Sequence, residues 1–269
     1  MRKITYALAL FLTIAAVLLL LAPSLHAQSA PPLAFDVVSI KRSTSGPGPT
    51  MIISPIDSDR IIVANATPRS IIGETNNIRL HDLITGLPAW ADSETYDIEA
   101  KVAASDLAAF HKLLPMQRNP MMLSILADRF HFAFHFETRT LPAYTLVVSK
   151  GGPRLKQVEP ATLANGLKDP GGIDMTRNQI TATGASMTPL LHVLQMQLGR
   201  PIVDRTGLTG NYDFTLKFAP IQSAATSEPD SAAPSIFTAI QEQLGLKLQS
   251  VKAPVQVLVV DHIERPSGN

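Results

Sequence analysis

The chain has no cysteine. Disulfides, cysteine metal ligands and a lipid attached through an N-terminal cysteine are therefore all excluded. Tryptophan occurs once, at Trp90, so there is a single candidate for the kind of large aromatic anchor that often dominates a partner surface. Neither sign of charge is in excess, with 23 Lys and Arg against 22 Asp and Glu. A general nucleic-acid binder needs a clear basic surplus for its phosphate contacts, and none exists here. After residue 27 no run is long and apolar enough to cross a bilayer as a helix. Catalytic signatures are missing too. There is no G-x-S-x-G elbow, no phosphate loop ending in Lys-Ser/Thr, and no zinc-protease motif with Glu beside its first His.

What is present begins at the N-terminus. Met1, Arg2 and Lys3 precede an apolar run from Ile4 to Leu21, which closes with Ala22-Pro23-Ser24-Leu25-His26-Ala27. A basic start, an apolar stretch and a small residue before Gln28 read as a secretory signal peptide over residues 1–27. The alternative is an uncleaved membrane anchor. Removing 27 of the 269 residues leaves 242, and losing Arg2 and Lys3 moves the formal charge from +1 to about −1. The expected location is periplasmic or extracellular. A chain of that length buries an adequate core without disulfides.

The remaining chain repeats itself. Ile61–Thr67 matches Ile180–Ser186 in apolar pattern at an offset of 119, with Thr67 and Ser186 each placed as a helix N-cap. Tyr96-Asp97 answers Tyr212-Asp213 at 116. Phe130–Phe134 answers Leu244–Leu248 at 114, and Pro142 with Val147-Val148 answers Pro254 with Val259-Val260 at 112. A steadily shrinking offset is what a duplication with small deletions produces. Each unit reads β-α-β-β-α-β-β. In the second unit the elements fall at about 178–183, 187–198, 201–204, 211–218, 235–244, 246–251 and 255–263. Leu190, Leu191, Leu194 and Leu198 keep helical spacing before Gly199, and Ile236, Phe237, Ile240 and Leu244 do so before Gly245. The first unit carries an added helix near 105–114, expected outside the common core. The reading is α+β: two tandem, related units with mixed sheets, 28–150 and 177–269. They are joined by a loop over 151–176, with a polar, mobile loop at 219–234. Each unit's helices are expected to be covered by its own sheet.

Several segments also carry a resemblance. They are Phe35–Lys41, Leu126–Phe130 with Thr138–Tyr144, Leu198–Asp213, and Leu244–Leu246 through Val259–Ile263. Together they resemble a soil-associated family of exported bacterial proteins of unknown function, over nearly all of the chain beyond the leader. One departure stands out. Members of that family usually carry an aromatic Ala-Tyr-Gly-type stretch after the first repeated helix, where this chain has Glu74-Thr75-Asn76-Asn77-Ile78. If the aromatic stretch lines a groove in relatives, the groove is altered here. The second unit is also loosely similar to the short N-terminal domain shared by secretins and TonB-dependent receptors, a module that binds proteins and catalyses nothing.

Each chemical candidate has a structural reading beside it. His131 and His135 would share a metal on a helix. The alternation of Phe130, Phe132, Phe134 and Phe136 favours a strand, which separates the histidines by about 13 Å. Ser186 has sufficient work as a cap. Asp204 and Arg205 open a Gly-bearing turn that is either a ligand site or a reverse turn between strands. Trp90 either anchors a partner or folds over the core. No catalytic, metal or cofactor residue is assigned, and Trp90, Asp204 and Arg205 are the partner-binding candidates. The expected function is a non-enzymatic, exported binding module of the cell envelope. It would recognise a protein or an envelope polymer through strand edges or the groove between units. The alternatives are a hydrolase-like envelope enzyme and the sensor region of an envelope signalling system.

Overall fold

The structure, a computed structural model, describes residues 33–44, 51–55, 57–163, 166–219 and 233–266. The signal-peptide reading and most of the 219–234 loop lie outside the described residues. Phe35-Asp36-Val37-Val38-Ser39-Ile40 forms β1 (Phe35–Arg42), antiparallel to β5 (Tyr96–Val102). β5 also pairs with β3 (Arg60–Ala66), whose other side holds the short β2 (Met51–Ile53), so the order is β1-β5-β3-β2. On β5 the alternation is complete: Tyr96, Ile98, Ala100 and Val102 are buried and the residues between them are not. Helices α1 (Pro68–Thr75) and α5 (Met122–Phe130) pack Ile71, Ile72, Ile125 and Leu126 into the same core. Thr67 caps α1 by accepting the Ser70 N–H at 3.2 Å, and Pro68 stands where a helix needs no N–H.

The second half presents the same kind of layer. Strands β7 (Lys156–Val158), β8 (Gly172–Met175), β9 (Gln179–Ala185) and β11 (Asn211–Lys217) run antiparallel in the order β7-β11-β9-β8. Helices α6 (Met187–Leu198) and α7 (Ile236–Leu244) contribute Leu190, Leu194, Ile240 and Leu244 to its core. Both helices end on a left-handed glycine, Gly199 and Gly245. A side chain at Gly245 would also meet the Gly152 carbonyl at 2.1 Å. The two layers agree in detail at one bulge. Asn65 (φ 54°) and Gly184 (φ 58°) are both left-handed, and their N–H groups donate at 2.8 Å to Asp97 and Asp213 respectively. Asn and Gly are the residues that tolerate this conformation.

A third sheet joins the layers. β6 (Ala133–Val148) lies antiparallel to β12 (Leu246–His262) along almost their whole length. β10 (Ile202–Asp204) pairs parallel with the end of β6, and β4 (Ile84–Thr85) pairs parallel with the end of β12, giving the order β10-β6-β12-β4. Each long strand leaves a helix of one half and finishes inside the core of the other. Leu258 and Val260 of β12 are buried with α1 and α5, whereas Leu146 of β6 is buried with α6 and α7. Each half's helices do pack on its own outer sheet, and the expectation is corrected only in that a strand from the other half completes each core. Leu141 and Ala253, 112 apart, face each other at the middle of the ribbon.

Five further expectations change. Among the described residues only the third sheet is mixed, and the outer two are antiparallel. The strands expected at 246–251 and 255–263 are one strand, β12. Proline's fixed φ suits extended chain, and at Pro254 one side of β12 has no strand neighbour to claim an N–H. Phe130 ends α5 rather than opening a strand. His131 takes a left-handed cap (φ 50°), Phe132 is buried, and Phe136 emerges to 47% exposure. The added helix is cut down to α3 (Leu107–Phe110), and it reaches the core, because Phe110 is fully buried. Ser186 holds the N-cap backbone position of α6 without a side-chain cap bond.

Candidate functional site

Between β5 and α5 the first half inserts α3, α4 (Pro115–Arg118) and a 3-10 turn at Asn119–Met121. Arg118 ties this insertion down. Its fully buried guanidinium lies 4.0 Å over the Phe110 ring and donates to the Leu113, Ser54 and Pro55 carbonyls and the Ser54 hydroxyl at 2.7–3.3 Å. Thus anchored, Pro115, Met116 and Asn119 face Ile52 and Ser54 beside β2 and Ser70 and Glu74 on α1, enclosing a cleft of about 440 Å³. Arg79 lies at the cleft wall in an ion pair with Glu74. Met116 stands 60% exposed at the rim.

A second cleft, of about 660 Å³, shares Ser70 and is lined by Thr67, Arg69, His81, Asp82, Thr85 and Asp92, with Ile84 beneath. Its organiser is Arg69. The guanidinium grips Asp92 through two nitrogens and donates to the His81 and Ile84 carbonyls at 3.0 and 2.8 Å, pinning β4 and α2 (Trp90–Ser93) to α1. The Arg69 hydrogen bonds hold the Asp92 carboxyl below its ordinary range. The Thr85 hydroxyl is buried without a hydrogen-bond partner among the described residues. Ser70 shares its hydroxyl with Thr67 at 2.9 Å rather than with a base. Glu74, Arg79, Arg69 and Asp92 all neutralise one another in pairs. Such an arrangement offers shape, hydroxyls and local dipoles to a ligand rather than an activated nucleophile.

The residues singled out from the sequence fall elsewhere. Trp90 opens α2 and is half-buried against the first core, with the Arg265 guanidinium 5.0 Å over its ring. Arg265 in turn holds Glu94 through contacts of 3.0–3.2 Å, and that hydrogen bonding keeps Glu94 below the usual carboxylate range. Asp204 is exposed and spends its carboxylate on the Thr206 N–H and hydroxyl at 2.8 and 2.7 Å, while the Arg205 N–H donates to the Leu146 carbonyl. Trp90 follows β4 and Asp204 ends β10, at opposite edges of the third sheet. Their strands meet β6 and β12 about nine residues apart, on the order of 30 Å. They do not form one site.

His131 and His135 are also apart in role. His135 contacts Asp261 at 2.8 Å and Glu137 at 3.3 Å, bonds that raise its pKa. Among the described residues no group of three or more His, Cys, Asp or Glu is placed to hold a metal ion. The cleft residues Arg69, Arg79 and Met116 were not selected from sequence. One wall was signalled: Glu74, where the departure Glu74–Ile78 begins, lines the first cleft.

These features define an α+β protein of two sheet-and-helix layers joined by exchanged strands, with paired charges beside a single helix. The chain belongs to the DUF3738 family, proteins of unknown function, the match running over residues 72–263. Comparison with curated proteins and with solved structures gives no match.

Proposed function

We propose that this is an exported, non-enzymatic binding module of the cell envelope that recognises a partner protein through the clefts flanking α1. The observation that carries the reading is the first cleft. It has an exposed apolar rim at Met116, hydroxyls within, and an ion pair whose partners neutralise each other. Binding sites combine an apolar surface with a few fixed polar groups, and this composition meets that description. Strand β2 adds to it, because Ile52 and Ser54 bring the edge of the first sheet to the same opening.

The module is a duplicated unit in this reading. Ile61 and Ile180, Tyr96 and Tyr212, and Phe130 and Leu244 are buried in pairs, and the Asn65–Asp97 and Gly184–Asp213 bulges repeat one hydrogen bond. The likeness of the second unit to the secretin and TonB-receptor domain supports protein recognition over catalysis. Export rests on residues 1–27, with cleavage after Ala27, and agrees with the resemblance to soil-associated exported proteins.

A photo-crosslinking residue at Met116 should trap a discrete partner from the producing cell's envelope, and Glu74→Lys should abolish the adduct. The same residue at Met196, exposed on α6 of the second half, should trap none. Equal labelling from both positions removes the cleft from the proposal. Mass spectrometry of the native protein should find a start near Gln28, and an intact Met1 form in the membrane fraction would replace export by anchoring.

A further inference from the structure

Along β6 and β12 the two faces of the ribbon are used differently. Odd-numbered Ala143, Ala253 and Val257 are buried near the middle, though none belongs to either core. Even-numbered residues are buried at the two ends, as Leu146, Leu246, Leu248, Leu258 and Val260. Between those ends they come out to solvent. The exposed strip runs from Phe136 through the cross-strand rows Thr138–Gln256, Thr140–Pro254 and Pro142–Lys252 to Tyr144–Ser250. From Phe136 to Tyr144 it extends roughly 26 Å at the rise of a strand.

Its chemistry is selective. An aromatic group stands at each end. Phe136 packs edge-on to Phe134 at 5.5 Å and keeps 47% of its surface exposed. Tyr144 packs edge-on to Phe237 at 5.5 Å, and Phe237 is 41% exposed. Between them lie hydroxyls and an amide. The charges on the strip are one-signed: Lys252 on its floor, and Arg200 with its guanidinium 5.7 Å over the Tyr144 ring. Even positions of both strands carry no carboxylate, and Glu137 and Asp261 are odd-numbered. The acid nearest along the chain of α7, Glu242, shares its small cleft with Lys247.

We infer that this strip binds an acidic polysaccharide lying along the ribbon. Sugar rings present C–H faces that pack on aromatic rings and hydroxyls that exchange hydrogen bonds with Thr, Ser and Gln, while their carboxylates answer Lys252 and Arg200. An extended peptide fits less well. Its affinity would come from adding a strand at an open outer edge of β6 or β12, not from lying on the face of the strip, where the backbone groups between the two strands are already paired. A nucleic acid would need a cation for many more phosphates than two. The site is separate from the α1 clefts and does not depend on them.

Titration calorimetry of the full chain without its leader, using a galacturonate hexamer, tests it. Binding is expected, with cellohexaose at least tenfold weaker, because the neutral sugar keeps the ring contacts and loses the charges. Lys252→Glu should lower hexamer affinity tenfold or more, and Phe136→Ala severalfold. Both sites are exposed, so the circular dichroism melting curve should stay unchanged and report intact folding. No heat with the hexamer, hexamer binding unaltered by Lys252→Glu, or equal binding of polyglutamate would each overturn the inference.

Discussion

Each half carries one four-stranded antiparallel outer sheet, yet the two distribute charge and side-chain contact unequally. Around the second core, among the described residues, the ties are mostly backbone and hydroxyl, with the ion pair Lys156–Asp213 at 3.7 Å. The first half carries Arg60 with Asp59 and Glu99, Arg69 with Asp92, Arg79 with Glu74, and the C-terminal Arg265 on Glu94. It also carries the Arg118-anchored insertion. One scaffold thus supports a plain layer and an elaborated one. The insertion puts Phe110 and Arg118 into the first half alone, and an elaboration that the second half does without marks where to look for recognition.

The sharpest test of the comparison is whether the halves are separable. Leu146 of β6 is fully buried in the second core and Leu258 of β12 in the first. Replacing either with Ala should cost about 2–5 kcal/mol. Trp90 fluorescence reports the first core and far-ultraviolet circular dichroism reports both. In urea, Leu146→Ala should move both transitions together. A Trp90 transition left in place would make the halves independent folding units.

A somewhat smaller loss is expected from Arg118→Ala, about 3 kcal/mol, because buried carbonyls of Ser54, Pro55 and Leu113 lose a charged donor. Arg118→Lys should recover little of it, since an ammonium cannot reproduce the fork over Phe110. Denaturant melts would show whether the loss is confined to one half, which would break the coupling above.

Smaller again are the paired bulges. Asp97→Ala and Asp213→Ala each remove one acceptor for a left-handed N–H and should each cost about 1 kcal/mol. Asp213 also meets Lys156 at 3.7 Å, so a slightly larger loss is expected there, and a larger loss at Asp97 would separate two positions that share one hydrogen bond. Asn65→Gly is expected to be nearly neutral, and Gly184→Asn slightly destabilising.

The smallest effect is on pH. Asp92 and Glu94 have folded pKa values lowered by Arg69 and Arg265, so their contribution is fully present above the ordinary carboxylate range. It is lost as pH falls from about 4 through the lower folded values. Glu94→Gln and Asp92→Asn should flatten the acid limb of a Trp90-monitored stability profile. An unchanged limb would mean that acid acts elsewhere in the molecule.

Much of the layer structure was legible because it is local. The leucines of 187–198 and the Ile-Phe-Ile-Leu set of 236–244 repeat at helical period and end on glycine, and β5 and β11 alternate cleanly. The exchange of β6 and β12 was not legible. Which strand lies beside Leu258 depends on contacts more than a hundred residues away, and Pro142 and Pro254 read as interruptions when they sit within continuous strands. The clefts were half visible. Glu74–Ile78 stood out as a departure, but Met116 and Asn119 arrive on an insertion without periodicity, and Arg69 and Arg79 gain meaning only from partners brought by folding. Trp90 and Asp204 attracted attention as unusual residues, and the fold occupies them with Arg265 and a turn.

The exchanged ribbon has a consequence for the connection between the halves. Because β6 ends in the second core and β12 ends in the first, each segment keeps one strand packed in the other's core. The stretch after β6, with Gly151 exposed, is then no longer what holds them together. A chain cut there is expected to stay together, because its fragments part only when both cores give up a strand and the β6–β12 ladder breaks.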